Sequence, residues 1–353
     1  MSPRGVSRTF LGIQYLRALA AGLVVVWHAY LYIATGVDPA HETASLGQAG
    51  VDIFFVISGF IIFYTTGVAA MTSREFMARR IVRIVPTYWL YTTVAIATFL
   101  VAPGVFRHFA LAPWHTIASY LFIPAYHPRS TGLIFPTLVL GWTLNYEMFF
   151  YAVFACLLTM SLAARLGAVL AIMLGLAVLG VVVEPDAAVL KFYTDPLVLE
   201  FVGGCAVAWM VIRGVRVPRG LCLGLVVLAV LGLAASPAAE EWPRCIRWGA
   251  PSLMLVAAAA LYEAGYGIGR VGLLERLGDA SYSIYLTHTF TIPAGALLWQ
   301  RAGLSEYPHT LFAIPAAVAS LSVGWLAYAM IERRATSFFR ALLAMSRESR
   351  VPT

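Results

Sequence analysis

Charge is scarce in this sequence. Only 12% of the 353 residues are Asp, Glu, Lys or Arg, while 61% are hydrophobic; a soluble domain carries about twice that charge density. The mean hydropathy of +0.82 agrees. A soluble globule is therefore excluded, and the chain reads as an all-α polytopic integral membrane protein. Lysine is nearly missing: Lys191 stands alone and the other basic residues are arginine. The formal charge of +7 would direct a soluble chain towards nucleic acid. Here the arginines lie between apolar runs and act as topology determinants, so no nucleic-acid partner is expected. The four cysteines, Cys156, Cys205, Cys222 and Cys245, lack metal-ligand spacing, and the first three sit inside apolar runs, where a thiol behaves as a small hydrophobe. Neither a disulfide framework nor a metal site is expected. No loop outlasts the stretch 105–136, so no soluble domain interrupts the bundle. Self-similarity between halves is also lacking, which weighs against an inverted-repeat transporter. The first apolar run has no convincing small-residue cleavage site and is read as a retained span.

What the sequence does hold is a succession of runs long enough to cross a hydrocarbon core of about 30 Å. They fall at 11–33, 50–69, 84–104, 137–160, 163–183, 196–213, 219–236, 247–264, 281–300 and 309–331. Ten helices are expected, forming one transmembrane domain over 1–335 with a cytoplasmic tail at 336–353. The stretch 109–126, broken by Pro113 and Pro124, reads as an interfacial or re-entrant segment. With the amino terminus inside, 18 of the 24 basic residues fall in inner segments. The outer segments keep Arg107, Arg129, Lys191, Arg244, Arg247 and Arg301 and take acids such as Asp38, Glu42, Glu184, Asp186, Glu240 and Glu241. This positive-inside bias places both termini in the cytoplasm.

Several ionisable residues lie within these spans, where each is costly and marks a functional path or a buried pair. Arg17 and His28 are eleven residues apart on the first helix, about three turns, so both leave one face roughly 16 Å apart along the axis. Arg17 is either a snorkelling anchor or a cation lining a path. His28 is either a packing residue or a base. Asp52, at the outer start of the second span, either complements the helix dipole or orients and charges His28 as a general base requires. Arg79, Arg80 and Arg83 cluster at the inner mouth of the third span, a group suited to phosphate or to inner-leaflet anchoring. Glu147, with Trp142, Asn145, Tyr146 and Tyr151 around it, needs a partner such as Arg17, Arg83 or a histidine, because an isolated buried carboxylate is costly. His288 lies on a ninth helix too rich in hydroxyls for a lipid-facing role, with Asp279 as the expected cap.

The Arg17 and His28 pair, GVDIFFVISGFII, RRIVRIVPTYWL, GWTLNYEMFFY and SYSIYLTHTF, in that order, resemble the integral membrane acyltransferase family 3, bacterial enzymes that O-acylate surface polysaccharides and related acceptors. The likeness spans residues 10–335 and is nearest to the short exopolysaccharide acetyltransferases, since no SGNH-hydrolase-like domain is fused to it. It implies an enzyme of the bacterial inner membrane that moves an acyl group, acetyl foremost, from cytoplasmic acyl-CoA to a hydroxyl of an extracytoplasmic or lipid-linked glycan. By motif match, Arg17 and His28 correspond to the family's essential pair, Arg83 to the arginine of its third-helix motif, and Trp142 and Glu147 to its tryptophan and glutamate. The catalytic set is then His28, Glu147, Asp52 and Arg17, with Arg83, Arg80, Arg79 and Arg17 on the donor phosphates and Trp142, Tyr146 and His288 near the substrates. A proton-coupled transporter that uses the buried Arg, His and Glu residues as a relay is the competing expectation, and a scaffold whose polar groups only join helices is the third.

Overall fold

The computed structural model describes residues 9–34, 46–102, 109–236, 241–305, 307 and 309–348. Of the charges that set the topology, Arg4, Arg8, Asp38, Glu42, Arg107, Glu240 and Arg350 lie outside these residues. The described residues form helices and no strand; an isolated bridge pairs Tyr126 with Ile134. Six helical runs are long and apolar enough to cross a membrane by length and composition, namely Leu11–Tyr32, Leu46–Val68, Ser73–Val101, Leu162–Val183, Cys245–Tyr266 and Leu311–Leu343, and Pro196–Ile212 and Arg219–Ala235 are shorter apolar helices. The chain is a multi-pass membrane protein.

In chain order the helices are α1 (Leu11–Ala34), α2 (Ala49–Val68), α3 (Ser73–Val101), α4 (Pro113–Tyr120), α5 (Trp142–Cys156), α6 (Leu162–Val183), α7 (Ala188–Tyr193), α8 (Leu199–Ile212), α9 (Arg219–Ala235), α10 (Ala250–Tyr266), α11 (Gly272–Arg301), α12 (His309–Ala327) and α13 (Arg333–Glu348). Four of them depart from the hydropathy reading. α3 starts at Ser73, capped by the Thr72 hydroxyl on the Glu75 amide, so the three arginines ride its first turns. α5 has 15 residues and begins at Trp142, which puts Glu147 in its second turn and not ten residues deep. α11 begins at Gly272, so Asp279 lies inside the helix and not at its cap, where it accepts from Gln14 Nε2 at 3.0 Å. α12 passes through a π-helical turn, Tyr328–Glu332, into α13, so the expected tail is helical as far as Glu348. The first turns of α3 and α11 and the length of α13 carry many charged and polar residues, so a sliding hydropathy average stops where the helix does not.

The bundle is organised on α2, whose two sides are enclosed by α1 and α8. Gly59 of α2 and Gly204 of α8 let the backbones touch. A Cβ on Gly59 would overlap the Phe201 carbonyl, and one on Gly204 the Val56 carbonyl, the small-residue contact expected between helices in lipid. Because backbone and not a flexible side chain blocks the space, Gly204→Val is expected to cost at least the 1–3 kcal/mol of ordinary overpacking, about the upper end of that range or more. Size-exclusion chromatography of the detergent-extracted variant should show lost monodisperse protein. Gly175→Val, where a Cβ meets nothing within 4 Å, should be silent.

The helix that carries Arg17 and His28 is fixed at its start. Glu263 of α10 accepts from the Leu11 amide (3.0 Å) and the Gly12 amide (2.7 Å), placing a carboxylate on the positive end of α1. α1 then packs along α11 and α12.

Candidate active site

Helices α1, α2, α3, α5, α11 and α13 surround a cavity of about 380 Å³ whose walls include Arg17, Arg80, Arg83, Arg340 and Glu147. Each deep guanidinium is held differently. Arg17 donates through Nη1 to Gln14 Oε1 (2.8 Å) and through Nη2 to Ser281 Oγ (2.9 Å). Arg80 lies over the rings of Phe76 (5.4 Å) and Tyr151 (5.7 Å), and its Nε is buried without a hydrogen-bond partner. Arg83 Nη1 is 4.0 Å from Glu332 Oε1, and Glu332 also accepts from Ser283 Oγ at 2.6 Å. Arg79 is not part of this arrangement. It pairs with Glu75 one turn back at 2.5 Å, its side chain 57% exposed, because residue 79 is rotated by about 100° from residue 80 around the helix.

Glu147 faces the cavity beside these cations. Its Oε2 accepts from the Tyr151 hydroxyl at 2.5 Å, one turn along α5, and the same hydroxyl lies 3.4 Å from Ser58 Oγ. The partner expected to be an arginine or a histidine is thus a tyrosine at hydrogen-bond range, with Arg17, Arg80 and Arg83 as surrounding charge.

Deeper in the bundle two histidines meet. The His28 and His288 ring centroids are 4.9 Å apart. His28 Nδ1 is 2.7 Å from the Val24 carbonyl and His288 Nδ1 3.3 Å from the Ile284 carbonyl. A carbonyl only accepts, so each neutral ring donates from Nδ1 and carries its basic lone pair on Nε2. His288 is 1% exposed, and its Nε2 has no hydrogen-bond partner. The Arg17 and His28 pair does share a face of α1, since both contact α11, at Ser281 and His288 respectively. Tyr285 separates the histidines from the cavity. Its ring is 5.9 Å from that of His288, it lines the cavity, and its hydroxyl donates to the Leu140 carbonyl (3.1 Å) and accepts from Thr143 Oγ1 (3.2 Å).

Asp52 does not serve His28 as expected. Both its oxygens are held by Arg244, Nε to Oδ1 at 3.2 Å and Nη2 to Oδ2 at 2.8 Å, and Arg244 also donates to Gln48 Oε1 and the Gln48 carbonyl. The reason is reach: the turn before α10 delivers a guanidinium to the first turn of α2, where a bidentate fork outcompetes an imidazole for a carboxylate. Trp142 and Tyr146 likewise leave the cavity to Thr143, Glu147 and Tyr151. Arg244 lies over the Trp142 ring at 5.6 Å, Phe55 and Tyr146 flank it, and Tyr146 stacks on Phe192 at 4.1 Å.

The sequence reading gives no site role to Ser281, Ser283, Glu332, Arg244 or Arg340. A signal existed for Glu332, an acid closing the last apolar run, and for the two serines, hydroxyls on a helix too polar to face lipid. None existed for Arg244, which looks like any loop arginine. Among the described residues no group of three or more His, Cys, Asp or Glu side chains could hold a metal ion.

Comparison with known proteins bears on this geometry. The family model described as an acyltransferase domain, of the third acyltransferase family, matches residues 10–329. An exopolysaccharide production protein, ExoZ, from Rhizobium meliloti (strain 1021) is 42% identical over 296 residues, covering 82% of this chain and 89% of that protein. No solved structure gives a significant match. The cationic cavity and the paired histidines are accordingly features of a multi-pass membrane acyltransferase, and the chain belongs to acyltransferase family 3.

Proposed function

We propose that this acyltransferase takes an acyl group, acetyl foremost, from cytoplasmic acyl-CoA and places it on a hydroxyl of an exopolysaccharide or its lipid-linked precursor, in the bacterial inner membrane. The observation that carries the reading is a cavity walled by four arginines that ends one tyrosine ring away from a histidine pair. Guanidinium forks suit phosphates, and Arg80 keeps a buried Nε in reserve for an acceptor. The polar end of the donor rests at Arg17, Arg80 and Arg83. A pantetheine arm of about 15–20 Å then covers the roughly 16 Å between the levels of Arg17 and His28. The name of the relative, an exopolysaccharide production protein, supports the acceptor class.

In this reading His28 Nε2 removes the proton of the acceptor hydroxyl as its oxygen attacks the thioester carbon. The carbon–sulfur bond breaks, and the imidazolium returns the proton to the departing thiolate. The alternative order, in which His28 carries the acyl group before the acceptor arrives, uses the same atom. His288 packs against the imidazole and sets its plane. Tyr285 must yield for the arm to pass. Glu147 balances the arginine charge and holds Tyr151 beneath Arg80.

Purified protein in lipid nanodiscs should release free thiol from acetyl-CoA when an acceptor glycan is present, and the glycan should gain the acetyl mass. Flux of substrate across proteoliposomes without thiol release would replace this reading with the transporter. The arginines provide a sharper test. Arg80→Ala should weaken CoA binding by about tenfold, the loss expected for one charge-assisted contact, while Arg79→Ala, an exposed ion pair, should change it by less than about twofold. Titration of desulfo-CoA measures both, and equal effects would remove Arg80 from the phosphate site.

A further inference from the structure

The cavity extends past the part of the chain that the family match covers. Its wall includes Arg340, on α13, beyond the end of the match at residue 329. Arg340 differs from the deeper arginines in how its guanidinium is engaged. Arg17 is bonded to Gln14 and Ser281, Arg83 faces Glu332, and Arg80 lies over two rings. Arg340 forms no hydrogen bond or ion pair with another described residue. A cation with no internal counter-charge at the wall of an arginine cavity is positioned for an external anion.

Its position is built by the fold. The π-helical turn before α13 buries Glu332 (2% exposed), and the hydrogen bond from Ser283 together with the longer ion pair to Arg83 (4.0 Å) ties the start of α13 to α11 and α3. α13 then packs on α3. Phe338, Phe339 and Leu342 stay exposed on an amphipathic helix, as suits an element lying in the membrane interface. Arg340, eight residues after Glu332, sits about 12 Å along the helix, at a separate level from the deep cluster.

Two levels of arginine fit a donor with phosphate at two levels. The thioester end must point towards the histidines, so the adenosine end stays at the mouth. The diphosphate, at the root of the pantetheine arm, meets Arg17, Arg80 and Arg83. We propose that Arg340 is a donor-specificity residue that contacts the phosphate on the adenosine ribose of acyl-CoA, an inference that rests on the acyl-CoA reading above. Arg340 thereby distinguishes CoA from carriers that bear only the diphosphate.

The test is calorimetric titration of the full chain in nanodiscs with CoA and with dephospho-CoA, which lacks only that phosphate. Wild type should bind CoA about tenfold more tightly than dephospho-CoA, as for one charge-assisted contact. Arg340→Ala should weaken CoA by about tenfold and leave dephospho-CoA within about twofold, erasing the discrimination. Arg334→Ala removes an equal charge from the same helix; like Arg340 the residue is exposed, but it lies outside the cavity wall, so it should change neither ligand by more than about twofold. Arg340→Gln repeats the test with a polar, uncharged side chain in place of the methyl. Wild-type binding of CoA with no loss in either Arg340 variant would overturn the inference, as would an equal loss in Arg334→Ala, which would mean a general field. Failure of wild type to bind CoA at all would sink the acyl-CoA reading itself and this assignment with it.

Discussion

His28→Ala is expected to lower turnover by about 10²–10⁴-fold, the range for removing a general base, with CoA affinity unchanged. The separation follows from geometry. The donor's phosphates are assigned to the arginine cavity, and His28 lies beyond Tyr285, touching His288. Loss of the imidazole then affects the proton transfer and not the docking. Val24 and His288 do not depend on the ring for their own placement, since both sit on regular helix, so the variant should fold. Thiol release and glycan acetylation measured beside desulfo-CoA titration distinguish the outcomes. A parallel fall in binding and rate would place His28 in the donor pocket. Unchanged turnover would remove it from the chemistry.

Arg244→Ala is expected to destabilise the protein by about 3–5 kcal/mol, the cost of breaking a buried ion pair from one side. Asp52 is 0% exposed, and Arg244 supplies both hydrogen bonds to its carboxylate. Glu200, also buried on α8, acts on the same guanidinium. Removing this guanidinium leaves the Asp52 carboxylate without its described hydrogen-bond partner in an apolar bundle. Replacing the pair together, Asp52→Leu with Arg244→Met, should recover most of the loss, because well-packed apolar groups often match a buried pair. Thermal unfolding followed by tryptophan fluorescence reads the difference, and Trp142 under Arg244 lies at the perturbed site. If the double variant is as unstable as the single, packing and not charge explains the effect. A stable double variant that has lost acyl transfer would give the pair a role in the reaction.

The elements differ in how far the residues alone revealed them. α1, α2, α6 and α12 are apolar over a full membrane thickness, which suits them to spans in a chain this poor in charge. α3, α11 and α13 reach further than their apolar runs because arginines, hydroxyls and acids are mixed into those turns and lower the local hydropathy average without ending the helix. α5 is shorter than its apolar run because Val139–Gly141 form a separate turn.

The candidate site divides in the same manner. Arg17 and His28 were legible as one face of one helix, because eleven residues are three turns whatever surrounds them. That Arg80 and not Arg79 enters the cavity follows from which side of α3 meets α5 and α13, a relation between helices distant in the chain. Nearness in sequence points Asp52 towards His28. Its partner is Arg244, 192 residues away, and no local pattern encodes which guanidinium a folded bundle brings to a carboxylate. The residues alone thus establish a helical multi-pass membrane protein and the polar groups that cannot face lipid, since these follow from transfer free energies that act residue by residue, whereas the number and bounds of the helices do not. Only the tertiary structure decided which polar groups meet, because a buried charge is satisfied by whatever partner lies within about 3 Å in space.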